Sequence, residues 1–306
     1  MTGKADHYNN FDWIRLLLAV QVVGIHAGVA KTVFVNPVPA FMTVSGFMVL
    51  GSLERRRTSD FFRSRALRVG PPLLVSFLAV GLLFGVDELL STVRYWLWPF
   101  GSPPINAVVW SLFYEELYYI VLAILVSVGV YHQRCAPIIL FAIFALALWV
   151  LAADGIRENG VFLGAAFFIG NAAYIFRETI RKIPPVVAVV ALVAIAALNF
   201  CVPYKTIERP DWFLLDYLSF ASILAFCIAG PQLPRLTVDL SYSLYLFHVI
   251  VRQLLLPHVP LGYSMLLVDL AATLPICILC WYLIEKPALR LKDRKPKTFE
   301  QTAPAE

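Results

Sequence analysis

The chain has 306 residues, of which 60% are hydrophobic and 15% charged, with a mean hydropathy of +0.75 and a formal charge of +5. Soluble domains are about 45–50% apolar, so a water-soluble globule is excluded and an all-α, polytopic membrane protein is implied. The positive excess belongs to loop topology and gives no ground for nucleic-acid binding, whose footprint is a basic face on a soluble domain.

Ten apolar stretches lie near residues 13–30, 38–53, 71–88, 109–130, 136–153, 160–176, 184–201, 213–230, 240–256 and 263–284. A helix of about 20 apolar residues crosses the hydrocarbon core, so ten transmembrane helices are predicted. They form one membrane domain over residues 1–293, followed by a polar tail over 294–306 that reads as disordered. The first stretch lacks a basic leader and a small-residue cleavage site, and it is expected to remain as a spanning helix. If the N-terminus is cytoplasmic, nineteen basic residues lie inside, and only Lys31, Arg94, Arg157, Lys205, Arg209 and Arg252 lie outside. That bias places both termini in the cytoplasm. The longest outer connection is expected from about Glu88 to Val108, and Tyr95, Trp96, Trp98 and Trp212 suit interfacial anchors. The five cysteines suggest no disulfide framework, and Cys277 and Cys280 read as small packing residues rather than a metal site.

Along the chain, the first candidate group is Asp12, Arg15 and His26 on helix one. Ionisable residues at hydrocarbon depth face a bundle interior or an aqueous cavity and mark function. Arg15 and His26 are eleven steps apart, roughly three turns plus 20°, so they share one face with a rise of about 16 Å between them. The segment 54–68 (ERRRTSDFFRSRALR) is read as an inner loop in which Arg65 and Arg68 align if helix three begins early. Six arginines there suit anionic lipid headgroups. They equally suit a phosphate clamp, since guanidinium forks match phosphate oxygens, and a nucleotide-bearing donor such as coenzyme A would need one.

Residues 110–119 (WSLFYEELYY) put Glu115 about one and a half turns in from the outer surface, level with His26, where a carboxylate can accept the second imidazole N–H. The alternative is that Glu115 faces an outer vestibule. In residues 241–248 (SYSLYLFH), Ser241, Tyr245 and His248 recur at helical spacing as a polar stripe, which interhelical hydrogen bonding would explain as well as a site would.

With these blocks assembled, the chain resembles the acyltransferase-3 family of integral membrane O-acyltransferases. NNFDWIRLLLAVQVVGIH is similar to that family's first-helix signature, PAFMTVSGFMVLGSL (residues 39–53) to its SGF motif, and FFRSRALRVGPP (residues 61–72) to its Arg-x-x-Arg segment with prolines. WSLFYEELYY, SYSLYLFH and IEKPALR (residues 284–290) follow in the family's order, so the likeness runs from residue 9 to residue 290. The resemblance implies ten helices and transfer of an acyl group, usually acetyl from acetyl-CoA, to a hydroxyl that is commonly on an envelope glycan. It implies His26, Arg15 and Glu115 as catalytic, with Arg65, Arg68 and Ser45 of the SGF motif holding the donor. Asp12, Trp110, Tyr119, Tyr245 and His248 complete the expected substrate pocket. Many relatives carry a further esterase-like domain, whereas this chain ends just after helix ten, so a small acceptor or a partner from the polysaccharide assembly machinery would take its place.

Chemically, His26 is suited to act as general base on a sugar hydroxyl, and an acetyl-histidine relay is the alternative. Arg15 would fix the donor or stabilise charge on the thioester oxygen. The competing classes are a transporter or flippase using Arg15, His26 and Glu115 as a proton relay, and a non-catalytic scaffold. Against transport, no paired broken helices are evident.

Overall fold

The computed structural model describes residues 8–29, 34–153, 158–201 and 211–292. The tail over 294–306 lies outside these residues, as do Lys4, Lys31, Arg157, Lys205, Arg209, Arg294, Lys295 and Lys297 of the loop-charge argument. All the described elements are helical. They are α1 (Asn10–His26), α2 (Pro37–Glu54), α3 (Thr58–Phe84), α4 (Val86–Leu97), α5 (Trp110–Ser127), α6 (Ala136–Ala153) and α7 (Asn159–Ile175). A single turn, α8 (Arg177–Ile180), precedes α9 (Pro185–Cys201), α10 (Asp211–Ala229), α11 (Ser241–Leu255), α12 (Tyr263–Cys280) and α13 (Lys286–Lys292).

Each expected apolar stretch falls on a helix. Four helical segments are long and apolar enough to cross a membrane: Pro37–Glu54, Thr58–Phe84, Ala107–Ser127 and Tyr263–Leu291. The helices α1 and α11, at 17 and 15 residues, are shorter and buried among the others. Apolar side chains face outward along α3 (Leu74, Leu78, Leu82) and α9 (Val186, Val190, Val193) at helical spacing, a surface suited to lipid tails.

Two expectations for the chain between α2 and α5 are corrected. Residues 58–68 are the first turns of α3, not a loop, so Arg65 and Arg68 stand on one helical face. The third apolar stretch is expected from about residue 71. The helix instead runs through the prolines, which remove the amide donors that would have met the Leu67 and Arg68 carbonyls. The expected outer connection holds α4, which packs back on α3 after a turn at Gly85. Gly85 has φ +96°, a conformation that side chains with a Cβ rarely adopt.

The closest helix pair is α2 with α7. A Cβ added at Gly46 would lie 2.1 Å from the Phe167 carbonyl oxygen, and one at Gly170 would lie 2.0 Å from that of Thr43. Asn171 fastens the contact by donating to the carbonyls of Gly46 (3.1 Å) and Phe167 (3.0 Å). With Gly46 pressed on α7, the neighbouring Ser45, one 100° step around the helix, turns toward α5. The inner packing face of the SGF segment thus sets the direction of its one hydroxyl. The central helix α1 packs on α2, α10, α11 and α12.

Candidate functional site

A cavity of about 180 Å³ opens among α1, α2, α3, α5 and α11. Its polar lining comprises Arg15, Ser45, Ser64, Arg65, Arg68, Ser111, Glu115, Tyr119, Ser241, Tyr242 and Tyr245, with Phe41, Met42, Met48 and Leu112 among its apolar walls. The arginines come from two helices. Arg15 is three turns from His26 down α1, while Arg65 and Arg68 project from the early turns of α3.

Asp239, in the segment before α11, joins these helices. Its Oδ2 accepts from Arg15 Nη1 at 2.9 Å and from Arg68 Nη2, and its Oδ1 accepts from the Ser241 amide (3.2 Å) and hydroxyl (2.6 Å). Burial would raise this carboxyl, but the Arg15 and Arg68 guanidiniums, with the bonds from Ser241, outweigh it and hold the group below the usual carboxylate range. Asp12 lies within electrostatic reach of Arg15 from the first turn of α1 but not on the cavity wall. Arg65 has different surroundings. Its guanidinium stands 5.6 Å from the centre of the Tyr119 ring and 5.8 Å from that of Phe61, and its Nε is buried with no hydrogen-bond partner among the described residues. That donor is available to an anionic ligand.

Deeper in the cavity, Glu115 Oε1 accepts from Ser45 Oγ at 2.5 Å and from the Tyr119 hydroxyl, and the two hydroxyls are 2.9 Å apart. The expected pairing of Glu115 with His26 is therefore corrected. Ser111, one turn before Glu115, meets the Tyr245 hydroxyl at 2.7 Å, and Tyr245 lies three residues before His248 on α11. At 1.5 Å per residue, Glu115 sits roughly 10 Å closer to the arginines than His26 does. Trp110 is also outside the cavity, with its ring edge-on to Tyr114 at 5.9 Å.

Tyr245, on the α11 side of the cavity, donates to the Val108 carbonyl at 2.9 Å. One turn beyond it stands a histidine pair. His26 Nδ1 is 2.9 Å from Nε2 of His248, a wholly buried residue whose Nδ1 lies 3.0 Å from the Leu244 carbonyl oxygen. Arg252 Nη1 donates to the His26 carbonyl at 3.1 Å, capping the end of α1. The polar stripe of α11 thus makes three separate bonds to other parts of the chain, Ser241 to Asp239, Tyr245 to Ser111 and His248 to His26. At the opposite end of α11, Ser243 donates to Glu285, which a π-helical turn at Trp281–Glu285 rotates inward from the IEKP segment. Among the described residues, no group of three or more His, Cys, Asp or Glu could hold a metal ion.

The sequence reading missed Asp239, Glu285 and Arg252 as site residues. The available signal for Asp239 was an acid two residues before the polar stripe, placed to bond the first amides of a helix.

A basic cavity with an imidazole pair beyond its far end suits a group-transfer enzyme, and the comparisons define the class as an acyltransferase. The model of the acyltransferase-3 family, described as an acyltransferase domain, matches residues 8–285, and the chain belongs to this family. Among curated proteins, the chain is 26% identical to "Nodulation protein 10" of Rhizobium leguminosarum bv. viciae, over 94% of this chain and 95% of that protein. It is 24% identical to an "O-acetyl transferase" of Shigella phage Sf6, over 94% and 98%. No solved structure matches significantly. The protein is a membrane acyltransferase built of helices.

Proposed function

We propose that this enzyme moves an acyl group, acetyl foremost, from cytosolic acyl-CoA to a hydroxyl of a glycan or lipid-linked sugar on the outer side of a bacterial inner membrane. Ten helices cross that membrane, with both termini cytoplasmic. The observation that carries the reading is the arrangement along one axis: three arginines at one end of the cavity, and the His26–His248 pair one helical turn beyond its other end. The loop-charge bias puts the arginine end in the cytoplasm. The name of the phage relative supports acetyl as the group transferred.

Arg65, whose Nε lacks a partner among the described residues, binds a donor phosphate, and Arg15 and Arg68 join it by exchanging their shared carboxylate for phosphate oxygens. The acyl arm lies past Ser45, Glu115 and Tyr119 toward Tyr245. His26 takes the proton of the acceptor hydroxyl as its oxygen bonds to the thioester carbonyl carbon. The carbon–sulfur bond breaks, the coenzyme leaves as thiolate and takes up a proton, and the products are an ester and free coenzyme A. The phosphate end and the acceptor hydroxyl stay at opposite ends of the path, so reaction proceeds across the membrane.

The test is mass analysis of envelope glycans from cells with and without the gene. Loss of an acetyl-sized mass that the wild-type protein restores and His26→Ala does not is expected. An unchanged mass profile in every glycan and small metabolite would refute the proposal.

A further inference from the structure

We infer that His248 is the positioning residue for His26, holding it as the Nδ1–H tautomer so that Nε2 is the atom that takes the proton. This role deepens the reading of His26 as the base and rests on it for its catalytic meaning, but the tautomer itself can be measured separately.

The Leu244 carbonyl oxygen can only accept, and His248 Nδ1 lies 3.0 Å from it, so that nitrogen carries the hydrogen. A neutral imidazole has one N–H, which leaves His248 Nε2 bare and accepting. The atom facing it at 2.9 Å is His26 Nδ1, which must then donate. The single hydrogen of neutral His26 is thereby used, and its lone pair falls on Nε2. The reverse assignment would set the bare His248 Nδ1 against a carbonyl oxygen, two acceptors 3.0 Å apart on a wholly buried residue.

When His26 takes a second proton at Nε2, its Nδ1–H bond to His248 persists, so one contact serves both protonation states. The usual partner in this role is a carboxylate. Here the bond is to a neutral ring, held by backbone alone. The Val22 carbonyl, one turn back on α1, also accepts from the His26 ring and is a second acceptor within reach, while the other charged and polar groups nearby are engaged elsewhere. Arg252 of α11 points its Nη1 at the His26 backbone, Asp269 of α12 accepts from Thr273 at 2.8 Å, and Tyr245 is bonded to Ser111 and Val108. His26 is thus fixed through its carbonyl by Arg252 and through its ring by His248 and the Val22 carbonyl. His248 acts through His26 alone.

The test uses full-length protein labelled with ¹⁵N-histidine in detergent micelles, with long-range proton–nitrogen correlation reporting which ring nitrogen of His26 is protonated. The wild type is expected to show Nδ1–H. His248→Phe, which removes the acceptor, is expected to shift His26 toward the Nε2–H form favoured by free imidazole. His248→Gln presents an amide oxygen near the lost Nε2 and is expected to restore Nδ1–H. In cells, acetyl released from the envelope by mild alkali should fall at least about tenfold with His248→Phe and recover with His248→Gln. Nε2–H on His26 in the wild type overturns the inference even if no variant folds, as does a His26 tautomer unchanged in folded His248→Phe. Absence of envelope acetyl from wild-type cells sinks the acyl-transfer reading and leaves the tautomer to be decided by the spectrum.

Discussion

Replacing Asp239 removes the carboxylate that accepts from both Arg15 of α1 and Arg68 of α3. The relative exposures of the side chains are 14% for Arg15, 28% for Arg68 and 16% for Asp239, so this is a largely buried ion pair rather than a surface one. Exposed pairs contribute about 0–1 kcal/mol, whereas breaking a buried pair costs about 3–5 kcal/mol because the remaining charge stays unpaired. Asp239→Ala leaves two guanidiniums facing each other and also loses the bonds to Ser241, worth about 1 kcal/mol as a helix-start contact. A total near the upper end of that range is expected. Asp239→Asn keeps an oxygen for Ser241 and should fall lower. Unfolding can be followed with a thiol-reactive fluorophore, because Cys227, Cys277 and Cys280 are buried while Cys135 and Cys201 are exposed and react beforehand. The folded-state carboxyl lies below its unfolded value, so its contribution is whole above about pH 4 and is lost as pH falls through the folded value. A loss under about 1 kcal/mol in Asp239→Ala at neutral pH would refute the claim that this junction ties α1, α3 and α11 together.

Adding inorganic pyrophosphate or coenzyme A to Asp239→Ala should recover part of the lost stability by neutralising the freed arginines, and no recovery in the unfolding assay counts against phosphate binding there. Gly46→Leu should prevent α2 from meeting α7 and lower stability by at least about 1–3 kcal/mol, read in the same assay, because the obstacle is backbone and cannot rotate away. Arg65→Ala should raise KM for the acyl donor more than it lowers kcat, measured in proteoliposomes, since its Nε makes no bond that the fold requires. Tyr119→Phe removes one of the two hydroxyls bonded to Glu115 and should lower activity while leaving the melting temperature within a few degrees, the Ser45 bond being kept.

The helices were legible because an apolar run is a one-dimensional signal, and all ten runs fall on helices where composition put them. The amphipathic α4 was not, since Asp87, Glu88 and Arg94 broke the run and its packing on α3 and α5 is a tertiary feature. Candidate residues were legible by type: Arg15, Ser45, Arg65, Arg68, Glu115, Tyr119 and Tyr245 all line one cavity. Their pairings were not. Counting turns from a loop end put Glu115 level with His26, but the 3₁₀ turn at Ala107–Val109 and the course of α5 place Ser111 opposite Tyr245 and Glu115 deeper. The partner of His26 lies 222 residues away, and no local pattern specifies a contact at that range.

The short lengths of α1 and α11 also bear on the membrane itself. At 1.5 Å per residue their 17 and 15 residues extend about 25 and 22 Å, against a hydrocarbon thickness of about 30 Å. Neither helix alone covers that thickness, and nor do α7 and α9 at 17 residues each, so the bundle suits a hydrocarbon layer thinner than average. A bilayer thin enough to match such helices costs least to fit around them, so turnover should be sensitive to bilayer thickness, fastest in lipids with short tails.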